Sequence, residues 1–281
     1  MIARLHTYTG LLTFVNLMIF GVVGLTAALQ WNTWQSGWDV HQERLALTPG
    51  LSDRAIAERV CAVLGLSLAT PIQSAVIQHD SQGRLLLDFW HANGRHRVTL
   101  PREGGDMRVE VRRANLWKYL DTLHTTTAAF RTGDWRMRLW SWYNEFAMWS
   151  LLAMLASGTW MWLRRYPARM TAAVAAMRKL RAIHLCCGML CLPFVLFYTV
   201  SGVTIAHRKW FPSGPLARIH THLPPHATAL AISIFSAGLL VLGASGLLLW
   251  TQNNRERKPG IAALLLGSGI VGALVLSMRV G

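Results

Sequence analysis

Acid is what this chain most lacks. Its 281 residues hold 13 Asp and Glu against 28 Lys and Arg, and only 15% are charged while 52% are hydrophobic. A soluble all-helical protein needs polar faces on its helices, and the apolar stretches here have almost none. Cysteine is sparse too. Cys61, Cys186, Cys187 and Cys191 form no CxxC or CxxCH pattern, so the default role is small buried packing. A metal role for Cys187 and Cys191, one helical turn apart, is the alternative. No P-loop, HExxH or GxSxG occurs. The one GxGxxG match, GSGIVG at 267–272, lies in an apolar run with no strand before it. It reads as helix packing, so no motif for a nicotinamide or a flavin remains.

What is present instead is a series of long apolar runs, at about 7–29, 142–163, 185–206, 228–250 and 261–278. Each is long enough to cross a bilayer as a helix. The loop 164–181 carries Arg164, Arg165, Arg169, Arg178, Lys179 and Arg181 with no acid, and 251–260 adds Arg255, Arg257 and Lys258 against Glu256. Residues 31–141 are nearly balanced, with 14 basic and 11 acidic side chains. Basic excess in alternate short loops places the N-terminus and these two loops in the cytoplasm and the rest outside. A nucleic-acid surface is the poorer reading of the net charge of +15. The first run resembles a secretory signal in length, but the third repeats its pattern and cannot be a leader. Trp31, Trp34, Trp140, Trp160, Trp162, Trp210 and Trp250 fall where membrane interfaces are expected. The expected division is helix 1 in 1–30, an outer domain 31–138, helix 2 in 139–165, an inner loop 166–182, helix 3 in 183–207, an outer loop 208–227, helix 4 in 228–250, an inner loop 251–260 and helix 5 in 261–281.

The outer segment reads as a small α+β domain. Ser52 caps a helix with Asp53 in its first turn. Strands follow near 74–79, 84–90, 95–100 and 107–113, separated by DSQG, HANG and REGGD turns. A second helix, ANLWKYLDTLH, leads back to the membrane.

The apolar runs contain an internal duplication. His6 is followed by Gly10 and Gly24, and His184 by Gly188 and Gly202, at the same spacings. LHT at 123–125 precedes SGTWMWLRR at 157–165, and IHT at 219–221 precedes SGLLLWTQNNR at 245–255. Both copies run in the same direction, so an axis along the membrane normal relates them. Four histidines then fall at two depths, His6 with His184 and His124 with His220. Two neutral imidazoles at one depth make a six-coordinate heme site suited to electron transfer. Gly10 and Gly188, one turn from their histidines, would let a flat macrocycle approach the backbone. Helix packing is the plainer role for these glycines, and a headgroup contact the plainer role for any single histidine. His220, His222 and His226 form a cluster that suits zinc less well, lacking an acidic or thiol partner. His207, His222 and His226 are fallback ligands for the outer site. His41, His79, His91 and His96 read as surface residues, and Asn16 as an interhelical hydrogen-bonder. Arg131, Arg136, Arg208 and Lys209 are candidates to pair with propionates or an anionic chelate, with lipid headgroups as the simpler partner.

These motifs resemble the PepSY-associated transmembrane family, particularly its ferric-siderophore reductases of the bacterial inner membrane. The resemblance runs over about 1–255. It rests on LHxxxG opening helices one and three, on LHT and IHT before the even helices, and on the two SG stretches. It implies an α-helical membrane bundle of duplicated helix pairs plus a fifth helix, with a small extracytoplasmic α+β PepSY-like domain. It also implies two b-type hemes, the inner one held by His6 and His184 and the outer by His124 and His220. An unidentified cytoplasmic donor would supply electrons, and a periplasmic ferric-siderophore or other ferric chelate would be reduced. The single outer domain, the added fifth helix and the longer His124 segment depart from the family pattern. Two other expectations are a b-type cytochrome subunit relaying electrons to a periplasmic partner protein and a heme-free anchor with a regulatory domain.

Overall fold

The computed structural model describes residues 1–34, 37–101, 104–126, 133–164, 174–207, 214, 225–252 and 257–279, and at 174–178 and 225–228 the backbone alone. In chain order the elements are α1 (Ile2–Leu12), α2 (Phe14–Ala28), β1 (Asp39–Leu45), α3 (Asp53–Val63), a 3-10 turn at Ser74–Val76, β2 (Ile77–His79), β3 (Leu85–His91), β4 (Gly94–Leu100), β5 (Gly105–Arg113), α4 (Leu116–His124), α5 (Trp135–Leu163), α6 (Val174–Ala206), α7 (Pro225–Thr251) and α8 (Arg257–Arg279). The protein is mostly helical with one small sheet. Four helices are long and apolar enough to span a membrane, or five if α1 and α2 are one broken span. Two compact units result, Met1–Leu29 with Trp142–Ala273, and Gln30–Ser141 with Leu274–Gly281.

In the helical unit, the first apolar run departs from the single helix expected over 7–29. It bends by 62° at Thr13. The Thr9 hydroxyl donates to the Leu5 carbonyl and the Thr13 hydroxyl to the Thr9 carbonyl, each at 2.7 Å, a back-bonding pattern that bends helices. The Leu12 carbonyl accepts from the Tyr143 hydroxyl at 2.6 Å. Gly267 of α8 presses on that same carbonyl, where a Cβ would overlap it. A side chain drawn to a backbone carbonyl and a close helix neighbour are recognised causes of a kink. Below the bend, Asn16 does bridge helices, its amide donating to the Asn144 side-chain oxygen at 3.1 Å.

The helix contacts of this unit repeat as the sequence pattern does. A Cβ on Gly10 would meet Met154, and one on Gly188 would meet Leu242. A Cβ on Gly24 would overlap Ser236, and one on Gly202 would touch Met148. Met154 and Leu242 stand three residues before Ser157 and Ser245, so each hairpin uses the same register. Small residues let helix backbones approach where lipid supplies no hydrophobic drive.

The sheet unit is a five-stranded antiparallel sheet ordered β1-β5-β4-β3-β2. Alternate residues of β3, β4 and β5 pack on Ile56, Ala57 and Val60 of α3. Ser52 caps α3 by accepting from the Ala55 amide at 3.3 Å, and Asn115 caps α4 by accepting from the Lys118 amide at 2.8 Å. Each cap is worth about 1 kcal/mol. The expected order α-β-β-β-β-α lacked β1. DVHQERL is an edge strand with most residues exposed, so it has no apolar alternation to reveal it. Trp140, expected at a membrane interface, is instead fully buried, and its indole N–H donates to the Leu123 carbonyl at 2.8 Å. The last turns of α8 also belong here. Carbonyls of Val275, Ser277 and Arg279 accept from Tyr119, Arg136 and Asn93, which satisfies groups a helix end leaves open.

His41 and His79 are exposed as expected, but His91 and His96 are buried, with Nε2 of His91 2.8 Å from Nδ1 of His96. Their strands face the core at alternate positions, and both rings fall on that face. Burial pulls His91 down to about 3, aided by His96 and Arg113, and pulls His96 down to about 4, aided by Arg113 and His41. Both folded values lie below the unfolded one near 6.5. Their stability is therefore present above about pH 6.5 and is lost as pH falls toward the folded values. Between pH 7 and 5 each imidazole should remove about 2 kcal/mol of stability. Urea midpoints of the purified protein at the two pH values check this, and a His91→Gln/His96→Gln protein should show a flatter dependence.

Candidate functional site

The helical unit encloses a cavity of about 530 Å³ lined by His6, Gly10, Gly158, His184, Gly188 and Gly246 among mainly apolar residues. That volume is within the roughly 300–1,000 Å³ of cofactor and small-molecule sites. The two histidines that the sequence pairs thus line one chamber. His6 lies on α1 against α5, and His184 on α6 against α7.

Each imidazole is fixed by a serine. Nδ1 of His6 is 2.9 Å from the Ser157 hydroxyl, and Nδ1 of His184 is 2.7 Å from the Ser245 hydroxyl. Both serines donate their own hydrogen backward along the helix, Ser157 to the Ala153 carbonyl at 2.7 Å and Ser245 to the Val241 carbonyl at 2.6 Å. Each serine oxygen must then accept from the ring. The proton is on Nδ1, and Nε2 keeps its lone pair. Neither Nε2 has a hydrogen-bond partner among the described residues. Gly158 and Gly246 follow the serines, and a Cβ on either would touch the Cε1 of its histidine at 3.4 Å. The arrangement occurs twice, with the same atoms in the same roles.

Chemically this is a pair of neutral nitrogen donors, each held by an outer hydrogen bond, in an apolar chamber. Outer hydrogen bonds that fix ring and tautomer are the usual support of a metal-ligating histidine. The donor set and the glycine-lined walls fit an iron macrocycle with two axial imidazoles. Arg181 also lines the cavity and supplies a cation suited to a carboxylate substituent. In the sequence the serines stand out only as part of the SG repeat. Their recurrence with the histidines was the signal for their role, but only the folded contacts pair Ser157 with His6 and Ser245 with His184.

The other expected residues fare differently. His124 ends α4 in the sheet unit, with its Nδ1 donating to the Asp121 carbonyl at 2.7 Å. Burial lowers its pKa, opposed by the Asp121 carboxylate and carbonyl. His220 and His222 lie outside the described residues, as do Arg131, Arg208, Lys209 and Trp210, and His226 is described by its backbone alone. His207 follows α6, its Nε2 2.5 Å from a Glu145 carboxylate oxygen. Glu145, which composition did not single out, is the one acid in the four long spanning helices as described. Arg136 is held by Asp134 at 2.9 Å and by the Ser277 carbonyl. Among the described residues no group of three or more His, Cys, Asp or Glu is placed to hold a bare metal ion.

The family description PepSY-associated TM region matches residues 3–229. The chain belongs to the PepSY-associated transmembrane family. It is thus a multi-pass membrane protein of that family, with a lipid bilayer around its spanning helices. The matched span takes in His6, Ser157 and His184. It stops short of Ser245 and α8. No curated protein matches the chain, and no solved structure does.

Proposed function

We propose that this family member carries electrons across the bacterial inner membrane by b-type heme and reduces chelated ferric iron in the periplasm, as a ferric-siderophore reductase. The observation that carries the reading is the doubled His–Ser pair, in which each imidazole is held through Nδ1 by a serine and both rings line one largely apolar cavity. Heme bound there would supply reversible one-electron chemistry. His6 and His184 would hold its iron. Ser157 and Ser245 keep each ring in the ligating tautomer, Gly10 and Gly188 leave the walls flat, and the apolar lining excludes water. Arg181 offers its guanidinium to a propionate.

The basic loops favour a cytoplasmic N-terminus, and in this reading the sheet unit is a periplasmic PepSY-like domain and the spanning helices are duplicated helix pairs. A second heme would take His124 and His220 as ligands, with His207, His222 or His226 as substitutes. An electron donor in the cytoplasm would then serve a chelate outside, because a hard-oxygen chelator holds Fe³⁺ more tightly than Fe²⁺. Stopped-flow mixing of the reduced, purified protein with ferric chelates tests the activity. Rapid reoxidation by a chelate alone is expected. Reoxidation only when a periplasmic protein is added would make the chain a relay subunit, and a protein without heme bands would leave it an anchor.

A further inference from the structure

Cys187 and Cys191 have no part in the site above. They occupy successive turns of α6 against α7, with Cys191 buried and Cys187 half-buried. Their sulfurs are 4.0 Å apart. Gly238 on α7 makes the space, since a Cβ there would overlap the Cys191 sulfur. Around the pair are the carbonyls of Gly238, 3.9 Å from Cys187, and Ile234, 4.0 Å from Cys191. Leu17, Leu151, Val195 and Leu239 complete an apolar surround.

A disulfide does not suit this placement. Residues one turn apart on a helix hold their Cβ atoms about 5–6 Å apart, whereas a disulfide needs about 3.5–4.5 Å. An ion between the sulfurs does suit it. With a metal–thiolate distance of about 2.3 Å, two sulfurs on one ion are about 3.8 Å apart at a tetrahedral angle and about 4.6 Å when linear. The observed 4.0 Å lies inside that range, and a linear two-sulfur ion would need the sulfurs to part by about 0.6 Å, within reach of side-chain rotation. Zinc would require four ligands, and no third His, Cys, Asp or Glu joins the pair among the described residues. Two sulfurs in an apolar pocket select a soft ion of low coordination number.

We propose that Cys187 and Cys191 form a two-sulfur site for a soft monovalent cation, Cu⁺ or its analogue Ag⁺, between α6 and α7. Each thiol gives up its proton as the ion binds.

The test is competitive titration of the reduced, purified full-length protein with Ag⁺ and with Cu⁺ against a chelator of known affinity. Wild type and a Cys61→Ser/Cys186→Ser protein should each bind one ion per chain with equal affinity. Cys187→Ser and Cys191→Ser should each weaken binding by at least about tenfold, the loss expected when a direct ligand is removed rather than an outer one. Affinity unchanged in both variants would overturn the site. Should the Cys191 variant fail to fold, X-ray absorption of the copper-loaded Cys61→Ser/Cys186→Ser protein decides. Sulfur nearest neighbours are expected, and a first shell of nitrogen or oxygen would overturn the proposal.

Discussion

Alanine at position 6 or 184 should remove one b-type heme and leave the other. With two hemes per chain, heme content should fall by roughly half in either variant. The two variants should resemble each other, because His6 and His184 line the same cavity from opposite hairpins. Loss of either would leave one histidine to hold the iron, which would change the spectrum even where some heme is retained. His41→Ala, in the exposed edge strand of the sheet unit, should leave the heme spectrum unchanged. The measurement is heme extracted per chain together with the reduced-minus-oxidised absorption spectrum. Unchanged content and spectra in both the His6 and His184 variants would remove the inner assignment.

The serines come next in expected effect. Ser157→Ala and Ser245→Ala remove only a hydroxyl, and neither serine lies at the cavity surface. Each substitution nevertheless takes away the acceptor that holds the ring proton on Nδ1. The imidazole can then rotate, or carry its proton on Nε2, where it blocks ligation. Removal of such an outer partner weakens metal affinity by about 10–100-fold. The double variant should therefore lose heme on dilution or gel filtration under conditions where wild type retains it. Threonine at both positions restores a hydroxyl and should restore retention. If the alanine proteins hold heme as tightly as wild type, the rings are oriented by packing and the serines have no such role.

Much of this was legible in the sequence because repetition carries information that single residues do not. His6 alone is an ordinary residue near a helix end, while its recurrence as His184 with matched glycines pointed to one chamber. Ser52 declared one helix start by side-chain chemistry, since it must occupy the position before the first turn, whereas Asn115, read as part of the second helix, is its cap. Four of the five strands showed their alternation, and β1 did not, because an edge strand exposes both faces. The bend at Thr13 was hidden for a different reason. Its causes, the Tyr143 hydroxyl and Gly267, lie far away in the chain. His91 and His96 read as polar and hence exposed, yet each satisfies the other at 2.8 Å, which is how a polar ring tolerates burial. Composition gave no sign that Glu145 would meet His207, since one acid among apolar residues names no partner.

The central claim is that Nε2 of His6 and Nε2 of His184 take the same iron. Low-temperature electron paramagnetic resonance of the oxidised, purified protein tests it most directly, with heme content measured on the same sample. The account predicts low-spin ferric heme with two imidazole ligands, and loss of one such signal in each of the His6→Ala and His184→Ala proteins. A heme-free wild-type protein, or a full set of low-spin signals unchanged from wild type in both variants, would contradict it.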